Sequence, residues 1–198
     1  MRAFWIALSI LLVALVVVTR FWPAIERVEV VGHAHLSRAD VMRLANVAPG
    51  DPLLWVTRFG VRALEAEPWV LQARVTRLWP DAIAIAVLER APVIRDGELA
   101  WAADGTALPG ADPARLEGLP TVTGWGTPRI AEALELLGML AGRGVRVITY
   151  GPEGFEVVLA DVELFTPSVD ALRSQWSAFE SQRGSRVAVY PWGVSSAP

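Results

Sequence analysis

The sequence predicts an α+β protein: an N-terminal transmembrane helix, then a β-α-α-β-β domain, then a mixed β-rich domain with two helices. Three observations carry this. A stretch dense in apolar residues, with one polar interruption before Thr19-Arg20, fills Ala3 to Trp22. A long strand-period stretch, Pro68 to Pro92, follows two helix-period segments. Beyond it, short β-rich runs are punctuated by glycine and proline.

The apolar run comes first. About twenty residues at ~1.5 Å each match the ~30 Å hydrocarbon core of a bilayer. The run is dense in Leu, Ile and Val, which favour insertion. It ends Val18-Thr19-Arg20-Phe21-Trp22-Pro23, with no small-x-small cleavage site, so an uncleaved anchor is expected over a cleaved signal. It has no polar face, which argues against a buried core helix. Residues 1–2 leave a minimal cytoplasmic head, and the body is expected outside the cytoplasm. The flanking charges, Arg2 with the amino terminus against Arg20, are nearly balanced and settle no orientation.

Composition narrows the function classes. The chain has 198 residues, no cysteine and a net charge of −3, and its basic residues are all arginine. Without cysteine there is neither a disulfide framework nor thiol catalysis. An acidic balance with no basic stripe argues against nucleic acid as the main partner.

After the anchor, Ile25 to Gly32 alternates around Val28 and Val30 as a strand. Ser37-Arg38-Ala39-Asp40 is a capping-box variant opening a helix with Val41, Leu44 and Ala45 inward. Pro49-Gly50-Asp51-Pro52 ends it. A shorter helix is expected from about Thr57 to Glu67, with Val61 and Leu64 inward. Trp69, Leu71, Ala73 and Val75 then alternate with Gln72, Arg74 and Thr76, Pro80-Asp81 makes a turn, and Ile83, Ile85 and Val87 share a face. The result is a hairpin covered by the two helices.

These residues carry a resemblance. The β-α-α-β-β order is that of a POTRA domain, and one placed just after a single membrane anchor resembles the FtsQ/DivIB family of bacterial division proteins. The matching residues are Ile25-x-x-Val28-x-Val30-x-Gly32, Leu36-Ser37, Pro49-Gly50 with Leu53-Leu54, Pro68-Trp69-Val70, Arg77-x-Trp79-Pro80 and Glu89-Arg90-x-Pro92-Val93. The resemblance is strong over residues 1–95 and looser beyond. Proteins with tandem POTRA copies leading into an outer-membrane barrel are disfavoured, since no repeat is visible. The expected division is a head at 1–2, the helix at 3–22, a POTRA domain at 24–91, a β domain at 92–193 and a frayed terminus at 194–198.

In the β domain, Val93 to Arg95 and Leu99 to Ala102 read as strands, with Asp104-Gly105 as a hairpin turn. Ala107 to Thr127 reads as a loop-rich connection. Pro128 opens a helix through Ala141, with Ile130, Leu134 and Leu137 on one face. Val145–Tyr150 and Phe155–Leu159 form a hairpin, and Val162–Phe165 adds a strand. Ser168 caps a last helix striped by Val169, Leu172, Trp176 and Phe179. Arg186 to Tyr190 is the final strand.

The search for chemistry yields no catalytic site. His33-Ala34-His35 has the spacing of a metal-ligand pair, but these are the sole histidines and nothing nominates a third ligand. Asp96-Gly97-Glu98, and Asp161 with Glu163, read as turn carboxylates before glycosidic ones. Ser168, Ser174, Ser177 and Ser181 have no base nearby in sequence. No cofactor or metal is expected, and the protein reads as non-enzymatic. The competing classes are an anchored cell-wall enzyme and an exported ligand-binding module.

Interaction features are stronger. Trp69, Trp79, Trp101, Trp125 and Trp176 are mostly expected in the core, whereas Trp192 has little chain left to cover it and reads as an exposed interface anchor. The strand Arg186-Val187-Ala188-Val189-Tyr190, as the last element, is expected at a sheet edge that is either extended by a partner strand or protected by Arg186 and Pro191 at its ends. The resemblance implies binding of FtsB- and FtsL-like division proteins by edge-strand addition near a tyrosine. Tyr190, just before Gly193, falls at that place, while the Asp and Arg expected before it are Val187 and Val189. It further implies a bitopic scaffold of the divisome that helps regulate septal peptidoglycan synthesis.

Overall fold

The computed structural model describes residues 2–21, 23–56, 58–124 and 129–197, without the side chains of 2, 3, 20, 21 and 58–60. Trp22, Thr57, Trp125 and the helix start expected at Pro128 lie outside the described residues. The chain divides into two compact units, Met1–Arg90 and Ala91–Pro198.

The first unit begins with helix α1, Arg2–Phe21. Its described side chains run from Phe4 to Thr19, and the large apolar ones among them are exposed. That run is about 24 Å long at ~1.5 Å per residue, against ~30 Å for a hydrocarbon core. Among the described residues no helix is long and apolar enough to cross a membrane. The transmembrane helix expected over 3–22 is thereby corrected to an apolar helix whose ends reach past the described side chains.

The β-α-α-β-β order follows: β1 Arg27–Val31, α2 Arg38–Leu44, α3 Arg58–Glu65, β2 Val70–Leu78 and β3 Ala82–Glu89. The sheet order is β1-β3-β2, with β1 parallel and β2 antiparallel to β3. Ser37 caps α2 by accepting from the Asp40 N–H at 3.1 Å, as its capping box requires. Val41 of α2 and Leu64 of α3 bury onto Val28, Ala73, Ile83, Ile85 and Val87, so the helices cover one sheet face. Gly32 is obligatory: its φ is +82°, and a Cβ there would lie 2.1 Å from the Val87 carbonyl oxygen.

Two details of the hairpin differ from the alternation. Val70 is buried and Leu71 is turned out, because the β2–β3 register shifts between Val70 and Gln72; a bulge swaps which residues face inward. Trp79, expected in the core, stands at the exposed turn. Trp69 does fill the core at 1% exposure, its ring stacked 3.8 Å from that of His35.

Among its described residues the second unit forms a nine-stranded mixed sheet. Its strands are β4 Pro92–Asp96, β5 Leu99–Ala102, β6 Ala107–Leu108, β7 Thr121–Gly124, β8 Val147–Gly151, β9 Gly154–Val158, β10 Glu163–Thr166, β11 Arg186–Tyr190 and β12 Gly193–Ala197. Their order is β12-β11-β10-β9-β8-β7-β4-β5-β6. Short α4, Pro113–Leu116, precedes β7. The connection expected to be loop-rich therefore hides a strand: Thr121–Gly124 pairs in parallel with both β4 and β8.

Helix α5, Ile130–Met139, links the parallel strands β7 and β8, and α6 (Val169–Ser174) with α7 (Trp176–Glu180) links the parallel strands β10 and β11. Both crossovers cover one face. Leu136, Leu140, Val169, Leu172 and Phe179 bury there against Ile148, Phe155, Val157, Leu164, Val187 and Val189. The buried line is Ala133 and Leu136 of α5 with Leu140 at its C-cap, and the expected Ile130, Leu134 and Leu137 flank it. The last helix breaks at Gln175.

Candidate partner-binding edge

The far edge of the second unit is a β-hairpin. Pro191 and Trp192 join β11 to β12, and Tyr190 pairs with Gly193 across the turn. Two corrections follow. Of the terminus expected to fray at 194–198, the described residues 194–197 belong to a strand, Gly193–Ala197, in register with Arg186–Tyr190. Strand β11, expected at the edge, lies between β10 and β12. The physical reason is the two-residue Pro-Trp turn, which sends the chain straight back along β11 so that its backbone groups are paired within the protein.

Alternation along β11 sorts the expected interface residues. Val187 and Val189 are buried in the core, 3% and 0% exposed, so their side chains cannot touch a partner. Arg186, Ala188 and Tyr190 point to the opposite, helix-free face. Arg186 Nε donates to Glu163 Oε2 at 2.8 Å across the parallel pair. Trp192, on the turn, is 81% exposed.

The rings form a fixed row. Tyr190 packs beside Phe165 with centroids 5.7 Å apart, and Trp192 stacks on Tyr190 at 5.1 Å and 11°. The turn itself is clamped: Gln175 Nε2, at the break between α6 and α7, donates to the Pro191 carbonyl at 3.1 Å. The sequence reading names Phe165 only as the end of a strand and names neither Gln175 as a clamp nor β12 as a strand. The signal that could have found β12 is Pro191-Trp192 followed by Gly193-Val194, a turn-sized gap between two β-prone runs.

Among the described residues no strand pairs beyond β12. With a two-residue turn closing the hairpin, Gly193, Ser195 and Ala197 pair with β11, and the backbone groups of Val194 and Ser196 face outward. Beside this edge the helix-free face forms a shallow trough that includes Val158, Glu163, Phe165, Ala188 and Ala197. Such an edge can accept an extended segment.

The groups weighed for chemistry have structural duties. Ser168 caps α6, and the Ser174 and Ser181 hydroxyls donate to the carbonyls of Ala171 and Ala178. Asp96 and Glu98 flank the β4–β5 turn. His33 Nδ1 lies 3.0 Å from the Leu36 carbonyl oxygen. Among the described residues no group of three or more metal-ligating side chains is assembled.

One carboxylate is unusual. Glu89 accepts from the backbone N–H groups of Ala34, His35 and Leu36 at 2.9, 2.7 and 3.0 Å. Burial pushes its carboxyl up, but the backbone donors of Ala34, Leu36 and His35 together outweigh burial and hold it below its usual range. It thereby ties the β1–α2 loop to the end of β3.

Comparison with known proteins matches this geometry. Residues 23–90 match the family of FtsQ-type POTRA domains. The chain is 40% identical over 94 residues to the cell division protein FtsQ of Mycolicibacterium smegmatis, covering 46% of this chain and 28% of the relative. It is 33% identical over 137 residues to FtsQ of Anaeromyxobacter sp., covering 60% and 47% respectively. To FtsQ of Syntrophotalea carbinolica it is 34% identical over 70 residues, 34% of this chain and 24% of the relative. The chain thus spans less than half the length of these relatives. With the β1-α2-α3-β2-β3 unit and its matched residues in place, residues 23–90 form an FtsQ-type POTRA domain, and the chain is similar over that part to cell division proteins named FtsQ.

Proposed function

We propose that this protein is a non-enzymatic, membrane-attached division scaffold that captures an extended segment of an FtsB- or FtsL-like partner along β12. The observation that carries the reading is the outer edge of β12, which ends a nine-stranded sheet beside the stacked Tyr190 and Trp192 rings. Backbone bonding to Val194 and Ser196 supplies strand addition, and the two rings with Phe165 supply a shaped anchor. Arg186, Ala188 and Tyr190 flank the captured strand, while Val187 and Val189 hold β11 from behind.

Membrane attachment is assigned to α1, whose described apolar side chains are exposed. Confinement to a surface raises the effective concentration of each contact towards other surface-bound partners, so weak edges can assemble a complex. That complex would act at the division septum, on septal peptidoglycan synthesis.

The test is a pull-down of the full chain against the extracytoplasmic segments of FtsB- and FtsL-like proteins, with Tyr190→Ala and Ser196→Pro beside the wild type. Binding lost in both variants supports strand capture at β12. Binding retained by Ser196→Pro refutes it, because that proline deletes an outward backbone donor.

A further inference from the structure

The first unit exposes a second aromatic surface, at the end of its sheet nearest α1. The chain leaving α1 is stitched to the residues before the 3-10 turn Leu53–Trp55: the Leu53 N–H donates to the Pro23 carbonyl at 2.9 Å, and the Ile25 N–H to the Asp51 carbonyl at 2.8 Å. The β2–β3 turn closes on the same place. There the Glu26 N–H donates to the Asp81 carbonyl at 2.7 Å, and the Arg27 guanidinium pairs with the Asp81 carboxylate at 3.4 Å. Arg77, near the end of β2, donates to the Val56 carbonyl at 2.6 Å and joins the two sides.

These bonds bring Leu54 and Trp79 to one hollow, with Trp55 and Leu78 next to them in the chain, where α1 departs. Trp55 is 49% and Trp79 63% exposed, and both leucines are exposed beside them. A hollow between Leu54, Val61, Val75 and Trp79 opens next to Arg77. Two exposed indoles with adjacent arginines are the chemistry of a bilayer's headgroup layer, where an apolar ring body and a polar N–H are both satisfied and guanidinium groups meet phosphates. The apolar side chains of α1 stay exposed up to Val18, so a bilayer that takes α1 must end within a few residues of Pro23, at this same end of the unit.

We propose that this end of the first unit rests in the headgroup layer of the membrane that holds α1, with Trp55 and Trp79 as interfacial anchors and the N–H groups of Arg27 and Arg77 not used within the protein open to lipid phosphates. The proposal rests on the membrane reading of α1 and adds a docking surface to it. It holds the unit against the bilayer instead of letting it swing on the segment after α1.

The chain has no cysteine, so each introduced one can carry a lone fluorescent label. The full chain is reconstituted into phosphatidylethanolamine–phosphatidylglycerol vesicles containing lipids spin-labelled on the headgroup or on the acyl chain. Labels are placed at Ser9→Cys in α1, at Leu78→Cys, and at Leu71→Cys, an exposed site seven residues up the same strand. At ~3.4 Å per residue the two β2 sites are roughly 24 Å apart. The expected result is loss of emission at Ser9→Cys with acyl-chain quenchers and at Leu78→Cys with headgroup quenchers, with emission retained at Leu71→Cys. Adding Trp55→Ser and Trp79→Ser should restore emission at Leu78→Cys. Quenching at Ser9→Cys but not at Leu78→Cys, or equally at Leu78→Cys and Leu71→Cys, overturns the docking while keeping the attachment. An unquenched Ser9→Cys overturns both.

Discussion

Each unit carries one hairpin whose turn joins a tryptophan to a proline, and the two turns present their indoles differently. At Trp79-Pro80 the ring stands on an open apolar shelf with Leu54 and Leu78 around it. At Pro191-Trp192 the ring is stacked on Tyr190, which is itself backed by Phe165, and the turn is clamped by Gln175. A ring fixed from beneath presents one shape and suits a partner of one shape. A ring on an open shelf suits a soft surface. If both proposals hold, the same residue pair would serve different kinds of recognition according to what lies under the indole.

Four experiments sharpen or break this contrast. The largest effect belongs to the buried indole that sets the scale. Trp69→Ala should destabilise the first unit by about 3–5 kcal/mol in denaturant titrations; a near-neutral result would mean that the His35 stack and the core under it do not hold. Next, Ser196→Pro should weaken partner binding about tenfold, ~1.4 kcal/mol, near the upper end of one hydrogen bond's net worth. Val189→Pro is not an equivalent probe, because β11 is paired on both sides and that change should unfold the second unit instead.

Acid provides the third. The Glu89 carboxyl has a folded pKa below its unfolded one. Its contribution is therefore complete above the ordinary glutamate range and is lost as pH falls through the lowered folded value. Thermal melts of the first unit should show a drop on acidification that Glu89→Gln abolishes; an unchanged acid response in Glu89→Gln would reassign it. The smallest effect is on the stacked but exposed ring: Trp192→Ala should change stability by no more than about 0.5 kcal/mol, as for other exposed substitutions. A larger loss would show the ring row to be structural.

The first unit was legible because its signals are local. The Ser37 cap, Gly32 and the Ile83-Ile85-Val87 face each act within one element, and one layer of helices decides which side is buried. Leu71 escaped because a bulge is a property of two strands in register, which one strand's alternation does not reveal. The second unit hid more. Thr121–Gly124 is short and flanked by glycine and proline, and it becomes a strand through parallel neighbours distant in sequence. The candidate site was half legible: Tyr190 and Trp192 were named from the chain, but the covering of β11 by β12 turns on a two-residue turn. Once that turn is recognised, the edge moves one strand outward and the two valines change from contacts to support.

The length of the nine-stranded sheet has an angular consequence. Neighbouring strands lie ~4.8 Å apart and rotate by about 20–25° relative to one another. Eight such steps separate β6 from β12, roughly 38 Å and close to half a revolution. The two rims of the sheet therefore face on different bearings. A segment laid along β12 is aimed by the accumulated twist of every strand behind it, so a change deep in the sheet that alters coiling would redirect a bound partner without touching it.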